Sequence, residues 1–202
     1  MILTAARELF SARGYHKTTT REIAVAAGIS ERLIYLHFTS KALLFEAAVV
    51  APFNAFMHDF ISDWRGYRET PHDLEYVARR WIGGMFDLLR QNRRLVFALL
   101  TATAYEDEFA DTFSGRDSPF AALLRLTEEI MAAESQARGY SGLDVQLTVR
   151  VPFAALLAVA VFDEPVFAGM GRRPSRDRIV DEMVAMSVHG ASRRDRNRQL
   201  HH

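Results

Sequence analysis

The segment Thr18–Lys41, TTTREIAVAAGISERLIYLHFTSK, decides the fold because short apolar runs alternate in it with residues that start and stop helices. Thr19 is followed three residues later by Glu22, the pattern of a capping box in which hydroxyl and carboxylate bind each other's backbone N–H groups. A helix is therefore predicted to begin at Thr19 or Thr20. It is predicted to end at Gly28, because glycine readily adopts the left-handed conformation that closes many helices.

A second short helix follows at once. Ser30 can cap it, and it is predicted to run from Glu31 to about Phe38. Ile29, Ile34 and Phe38 can face inward and anchor it, which leaves the polar positions between them outward. Two helices joined by a short glycine-containing turn predict a helix-turn-helix, which places its second helix in the major groove of DNA.

Working outward, apolar residues recur with helical spacing along the chain, and no stretch alternates with a period of two. The fold class is therefore predicted to be all-α. Further helices are predicted at residues 2–13, 41–64, 72–92, 94–113, 119–138, 144–163 and 175–189. The predicted domains are a DNA-binding domain at 1–47, a helical regulatory and dimerisation domain at 48–190, and a disordered basic tail at 191–202.

Composition excludes several classes of protein. The chain has 202 residues, 49% of them hydrophobic, enough for a sizeable core. Val151–Phe162, the longest apolar run, is too short for the roughly 20 residues that span a bilayer, and Arg7 and Glu8 interrupt any signal peptide. Without cysteine there is no disulfide or thiolate metal site. A cytoplasmic location without membrane partners is predicted.

The zero net charge hides a split along the chain. Residues 1–50 hold six Lys and Arg against four Asp and Glu, and residues 171–202 hold eight against four, whereas the middle is acidic. A polyanion-binding surface should therefore lie in the first fifty residues or in the Arg-rich tail. For the tail, a solvated and frayed terminus is the alternative.

The first fifty residues resemble the DNA-binding domain of the TetR family of transcriptional regulators. The resemblance runs through ILTAARELFSARGY, TTTREIA, AAGIS, IYLHF and SKALLF, in the family's order and spacing. For the rest of the chain it is architectural. Arg32-Leu33 stands where many members carry a small pair such as Gly-Thr, so the operator sequence does not carry over.

The resemblance implies three sets of DNA contacts. Glu31, Arg32 and Leu33 would face the bases, where Arg can pair with guanine, Glu with cytosine and Leu with a thymine methyl. Thr20 and Arg21 would contact the DNA backbone, although Thr20 could act as a helix cap alone. Tyr35, His37 and Lys41 would contact phosphates, although Tyr35 could instead be core and His37 an ordinary surface residue. The predicted DNA-binding residues are Thr20, Arg21, Ser30, Glu31, Arg32, Leu33, Tyr35, Leu36, His37 and Lys41.

Aromatic and methionine residues crowd the central helices. Most must form the core, but a ligand pocket is lined by the same residue types. The adjacent glycines Gly83 and Gly84, inside a predicted helix, mark a kink or a close approach. The candidate pocket residues are Phe56, Phe60, Trp64, Trp81, Met85, Phe97, Tyr105 and Phe109.

The predicted helix 144–163 becomes apolar on all sides from Val151 onward, so both its inner and its outer face must be buried against other helices. A second subunit would supply the outer cover, together with a broad apolar stripe on the helix predicted at 175–189. The arrangement resembles the family's four-helix homodimer interface. The candidate interface residues are Phe153, Leu157, Val161, Val180, Met183, Val184 and Ser187.

These features predict a homodimeric transcriptional repressor that binds a palindromic operator and is released by a small, mainly apolar effector. The alternative is a helical binding protein or enzyme for hydrophobic acyl or aromatic molecules with a vestigial DNA-binding domain. No catalytic motif and no cofactor are predicted. The acidic groups around Asp59 and around residues 106–111 are read as solvated faces and not as metal sites.

Overall fold

The computed structural model describes residues 1–67, 73–105, 119–140 and 143–199. Within those ranges every regular element is a helix and no strand occurs, so the all-α prediction is confirmed. The helices are α1 Ile2–Arg13, α2 Thr20–Ala27, α3 Glu31–His37, α4 Lys41–Tyr67, α5 Leu74–Gln91, α6 Arg93–Tyr105, α7 Pro119–Ala137, α8 Val145–Val161, α9 Asp163–Val166 and α10 Arg176–Gln199.

The described residues fall into two compact units. One contains Met1–Ala55 and Gln91–Leu123, and the other contains Phe56–Arg90 and the residues from Leu124 onward. The division falls within α4, so one continuous helix runs through both units. The predicted domains placed α6 in the second domain, whereas its packing groups it with the first unit.

The first unit is built around an aromatic centre. Phe10 on α1 packs edge-on against Phe45 on α4 with 4.7 Å between ring centroids, and Tyr15 lies 5.2 Å from Phe45. Leu95 on α6 is fully buried in this core, which explains why α6 belongs with the N-terminal helices. Burial of these large side chains is the main source of the unit's stability.

The second unit is held by apolar packing and by ion pairs between helices. Met85 and Phe86 on α5 are fully buried. Arg176 on α10 makes two bonds to the carboxylate of Asp87 on α5, at 2.6 and 2.8 Å, a bidentate arrangement that fixes geometry as well as charge. Hydrogen bonding to Asp87 raises the pKa of Arg176.

The adjacent glycines of α5 mark a close approach. A Cβ on Gly84 would lie 2.8 Å from Cζ of Phe56, and a Cβ on Gly83 would lie 3.0 Å from Nη2 of Arg176. Only the absence of a side chain lets the Phe56 ring pack against α5 at this point.

The C-terminal helix differs from the prediction. α10 ends at Gln199, ten residues beyond the predicted end at His189. The helix therefore extends into the segment 191–202, whose disorder stays a prediction. Arg, Ala and Gln are good helix formers and the segment has no proline, so its composition permits a helix.

One described helix, over Lys41–Asp63, is long and apolar enough to cross a membrane by length and composition alone. The sequence interpretation considered only Val151–Phe162. Half of the apolar window in α4 is buried inside the protein, as expected for a core helix.

Candidate nucleic-acid interface and ligand cavity

The predicted capping of α2 is confirmed. The backbone N–H of Thr19 donates to Oε2 of Glu22 at 2.9 Å, and the N–H of Glu22 donates to Oγ1 of Thr19 at 3.2 Å. Gly28 closes the helix with φ 67° and ψ 33°, a left-handed conformation. The hydrogen bond from the Thr19 backbone is the main cause of the lowered pKa of Glu22, which also accepts a 2.9 Å bond from Arg13 on α1.

Three residues, Gly28 to Ser30, connect α2 to α3. The Ser30 hydroxyl accepts the N–H of Leu33 at 3.3 Å, so its predicted role as a cap is confirmed. Ile34 is fully buried, and Ile29 and Phe38 pack against the same core. The helix pair thus has the helix-turn-helix geometry, in which one buried anchor holds α3 against α2.

The outer face of α3 carries most of the predicted DNA-contacting side chains. Arg32, Leu36 and His37 are exposed, Leu36 by 77%, and Tyr35 is 49% exposed. Exposed Leu and Tyr side chains beside an Arg form a surface that is suited to contact with a binding partner. Leu33 was predicted to face outward towards the bases, but it is half-buried.

Thr20 and Glu31 are positioned differently from the prediction. Thr20 is buried, and its Oγ1 donates to Oε1 of Glu31 at 2.6 Å and lies 3.1 Å from the hydroxyl of Tyr35. The carboxylate of Glu31 is therefore engaged within the chain, and the Thr20 hydroxyl is turned towards α3. The sequence interpretation treated both as outward-facing contacts because periodicity cannot show a polar bond between two helices.

Three cations on this surface differ in their surroundings. Arg21 on α2 and Arg32 on α3 are exposed, and neither makes an ion pair or hydrogen bond with any residue in the described ranges. Lys41 is half-buried, with Nζ 4.0 Å from the centre of the Tyr15 ring, a cation–π contact that holds it in place.

Sequence reasoning missed Val25 on α2, which is 76% exposed. The signal was available, because Thr20, Ile23, Ala24 and Ala27 are buried at helical spacing and leave Val25 on the opposite face, with Arg21. Val25 and Arg21 extend the exposed surface of α3 onto α2.

The second unit contains an apolar cavity of about 100 Å³. Phe60 on α4 and Trp81 on α5 line it, and both were predicted. The other lining residues come from α5, α7, α8 and α10, and on α5 and α7 they recur at helical spacing, a signal that the sequence interpretation did not use. These residues are Leu74, Val77, Ala78, Ile82, Thr127, Ile130, Met131, Glu134, Thr148, Val149, Pro152, Ser187 and Val188.

Four other predicted pocket residues are not among the described lining residues. Met85 is core, and Phe56 stacks on Phe60 with 6.2 Å between ring centroids. Phe97 and Tyr105 lie on α6 in the other unit and are exposed by 49% and 83%. Phe109 and the side chain of Trp64 lie outside the described parts of the structure.

The predicted dimer-interface residues are mostly internal. Phe153, Val161, Val180 and Val184 are buried within the chain, and Ser187 lines the cavity. Leu157 and Met183 are half-buried. Apolar periodicity located these helices correctly but could not separate their inner face from their outer one.

A different apolar stripe on α8 faces outward. Leu147 and Val151 are 55% and 62% exposed, and Ala154 and Ala155 continue the stripe one turn further. On α10, Met186 is 69% exposed.

No group of three metal-ligating side chains occurs in the part of the chain that the structure describes. His58 lies 3.6 Å from Asp59, and both are exposed. The acidic cluster at residues 106–111 falls outside the described ranges.

Comparison with known proteins agrees with this geometry. Residues 2–48 match the family described as "Bacterial regulatory proteins, tetR family". The HTH-type transcriptional activator FasR of Mycolicibacterium smegmatis is 33% identical over 99 residues, a match spanning 48% of this chain and 43% of that protein. The match thus spans less than half of that relative's length.

Solved structures share the fold over most of the chain. The transcriptional regulator FadR from Bacillus subtilis, solved in complex with stearoyl-CoA, superposes with a TM-score of 0.70 at 19% identity, covering 94% of this chain and 97% of that one. A TetR-family regulator from Mesorhizobium loti gives a TM-score of 0.65 at 22% identity, covering 94% and 92%. At these identities the likeness shows the fold alone.

Proposed function

We propose that this chain, whose residues 2–48 match the tetR family of bacterial regulatory proteins, is a cytoplasmic, homodimeric transcriptional regulator that binds a palindromic DNA operator. The observation that carries the proposal is the capped helix-turn-helix with its exposed α3. Arg32, Tyr35 and Leu36 are outward on a helix whose other face is anchored by buried Ile34. A recognition helix requires this arrangement.

Dimerisation is proposed from the outward stripe on α8. Leu147 and Val151 are apolar and well exposed, and Ala154 and Ala155 are small enough for a second helix to approach closely. In a dimer with twofold symmetry, the stripe of one subunit would pack against the same stripe of its partner. The two subunits would also present two recognition helices to inverted half-sites about 34 Å apart.

A small, mainly apolar effector is proposed to bind the cavity of the second unit and to weaken operator binding. Helix α4 supports this link because it begins at Lys41, beside the predicted interface, and continues to Phe60, which lines the cavity. An effector that favours one arrangement of α4 by about 1 to 3 kcal/mol would lower DNA affinity 5- to 150-fold.

The size of the cavity constrains the effector. Bacillus subtilis FadR was solved with stearoyl-CoA, whereas the cavity lined by the described residues here has a volume of about 100 Å³. That is less than the roughly 150 Å³ of a cavity that binds benzene. We therefore propose an effector much smaller than a long-chain acyl group.

Selection from random duplexes, followed by a shift assay at several salt concentrations, tests the proposal. The expected result is an inverted repeat bound with a steep salt dependence, because Lys and Arg displace counterions from phosphates. Recovery of asymmetric sites alone, or no binding, would favour the alternative, a binding protein or enzyme for hydrophobic molecules with a vestigial DNA-binding domain.

Repression by promoter occlusion is the mode we propose. A reporter placed behind the selected operator would show reduced expression in the presence of the protein, restored by the effector. Increased expression would instead make the protein an activator, as the name of the M. smegmatis relative states for that protein.

A further inference from the structure

A short chain of hydrogen bonds links the two helices of the helix-turn-helix. Oγ1 of Thr20, at the start of α2, lies 2.6 Å from Oε1 of Glu31 and 3.1 Å from the hydroxyl oxygen of Tyr35 on α3. Thr20 is buried, whereas Tyr35 is 49% exposed. All three residues were predicted to contact DNA, so the direction of these bonds decides what each hydroxyl can offer to DNA.

The carboxylate of Glu31 fixes the direction of both bonds. An ionised carboxylate can only accept, so Thr20 is the donor in the bond to Glu31. A threonine hydroxyl has one hydrogen, and this bond uses it. In the bond with Tyr35 the Thr20 oxygen must therefore accept, and the Tyr35 hydroxyl supplies the hydrogen.

This direction limits the contacts that the two hydroxyls can make with DNA. A phosphate oxygen accepts hydrogen bonds and so requires a donor from the protein. While Glu31 is in place, the hydrogens of Thr20 and Tyr35 are both used inside the protein. Arg21, by contrast, is exposed and makes no ion pair or hydrogen bond with the described residues, so its donors are available to a phosphate.

Without the carboxylate the direction of the chain would reverse. Thr20 and Tyr35 have two hydroxyl hydrogens between them, and the bond that joins them uses one. The buried Thr20 would then donate to Tyr35. The hydrogen of the exposed Tyr35 hydroxyl would become available to a phosphate.

We infer that Glu31 is a positioning residue that directs both hydroxyl hydrogens into the protein, and that Tyr35 orients α3 instead of donating to a phosphate. The inference rests on the proposed DNA-binding function. Phosphate contacts carry no sequence information, so the withdrawal of a donor lowers the affinity for DNA of every sequence alike. Glu31 thereby leaves the phosphates to cationic side chains such as Arg21.

A double-mutant cycle tests the inference by fluorescence anisotropy with a duplex of random sequence at low salt. Tyr35→Phe alone should leave the affinity of the full-length protein unchanged. In the Glu31→Ala background the same change should weaken binding about tenfold, the scale of one hydrogen bond to a charged group. The loss of negative charge at position 31 is common to both members of the second comparison, so it cancels.

Two further variants calibrate the cycle. Tyr105→Phe removes the hydroxyl of an exposed tyrosine on α6 and should change binding in neither background. Arg21→Ala should weaken binding in both backgrounds, because its phosphate contact does not depend on Glu31. Circular dichroism of each variant reports folding.

Equal losses from Tyr35→Phe in both backgrounds, or no loss in either, would overturn the inference. If Glu31→Ala does not fold, the comparison of Tyr35→Phe with the wild type decides: unchanged affinity supports the inference and a loss overturns it. The same assay on the selected operator separates the inference from the proposed function. Operator binding by the wild type together with equal losses rejects the inference alone, whereas a wild type that binds no duplex rejects both.

Discussion

Oγ1 of Thr20, at the start of α2, donates a 2.6 Å hydrogen bond to Oε1 of Glu31, at the start of α3. Tyr35, one turn further along α3, brings its hydroxyl to 3.1 Å from the same Thr20 oxygen. The bond joins the two helices of the helix-turn-helix near their N-termini. It fixes the orientation of α3. It also engages the Glu31 carboxylate, so this group is not free to contact a base.

Thr20→Val should destabilise the first unit by about 1 to 3 kcal/mol, because the hydrogen bond from the Thr20 hydroxyl to the partly buried carboxylate of Glu31 is lost. Urea unfolding monitored by circular dichroism measures this. Tyr35→Phe is the matched control, since it removes only the longer bond and should cost less. A larger loss in Tyr35→Phe than in Thr20→Val would show that the Thr20–Glu31 bond does not hold the helices.

Arg32→Ala and Arg21→Ala should weaken operator binding in different ways. Arg32 is exposed on α3, and if it reads a base its removal should cost roughly 1 to 3 kcal/mol and relax preference at one position. Arg21 on α2 should bind phosphate, so its removal should weaken all sequences alike and reduce the salt slope by about one. Shift assays on the selected operator and on single-base variants measure both effects.

Equal and sequence-independent losses in the two variants would remove Arg32 from base reading. Both side chains are exposed and without a partner in the described residues, so neither change should alter folding. Lys41→Ala is a poorer phosphate probe, because it also removes the contact with the Tyr15 ring.

Val151→Glu should dissociate the dimer. Val151 is 62% exposed in the single chain, and the proposed interface would bury a carboxylate without a partner in each subunit, at a cost of several kcal/mol of association. Sedimentation at micromolar concentration should show a monomer with an unchanged circular dichroism spectrum. Ala132→Glu, at an exposed site on α7, adds the same charge and should leave the dimer intact.

Val184→Glu should behave differently, because Val184 is only 1% exposed within the single chain. It should unfold the second unit and not merely separate subunits. A folded Val184→Glu monomer, or a Val151→Glu dimer as tight as the wild type, would contradict the assigned outer face of α8.

The N-terminal elements could be predicted from the sequence because their determinants are local. Thr19, Glu22, Gly28 and Ser30 act within four residues of the backbone groups that they bind, so spacing alone identifies them. The cavity and the outer face of α8 depend on which helices pack together. Phe97 and Tyr105 were assigned to the pocket by residue type, but their helix α6 packs in the other unit.

Gly84→Ala should destabilise the second unit. Alanine is the better helix former by about 1 kcal/mol, but its Cβ would lie 2.8 Å from Cζ of a Phe56 ring packed in the interior, and such overpacking costs about 1 to 3 kcal/mol. Gly83→Ala is the matched control. Its Cβ would lie 3.0 Å from Nη2 of Arg176, at the end of a flexible side chain, and in ordinary contact with Val180, so urea unfolding should show a smaller loss than in Gly84→Ala.

The double variant Gly84→Ala with Phe56→Leu should recover part of the loss, because the smaller side chain relieves the clash. Equal effects of alanine at positions 83 and 84 would mean that the close approach of Phe56 does not determine the choice of glycine.

Glu46 on α4 is buried to 1% exposure, and its Oε1 has no hydrogen-bond partner within the described ranges. Burial raises the pKa of Glu46 to about 7, whereas an unfolded chain ionises glutamate near roughly 4.3. The folded state therefore binds this proton more tightly than the unfolded state. The protonated Glu46 carboxyl therefore adds to the free energy of unfolding. This contribution is complete below about pH 4 and is lost as the pH rises towards and through 7.

Glu46→Gln should consequently stabilise the first unit at pH 8 by about 1 to 3 kcal/mol, since it removes the cost of a buried charge, and the gain should shrink as the pH falls towards 5. Urea unfolding at both pH values measures the difference. Glu8→Gln, at an exposed position on α1, is the control and should change stability little at either pH. If Glu46→Gln alters stability by the same amount at pH 5 and pH 8, the Glu46 carboxyl does not titrate between folded and unfolded states in this range.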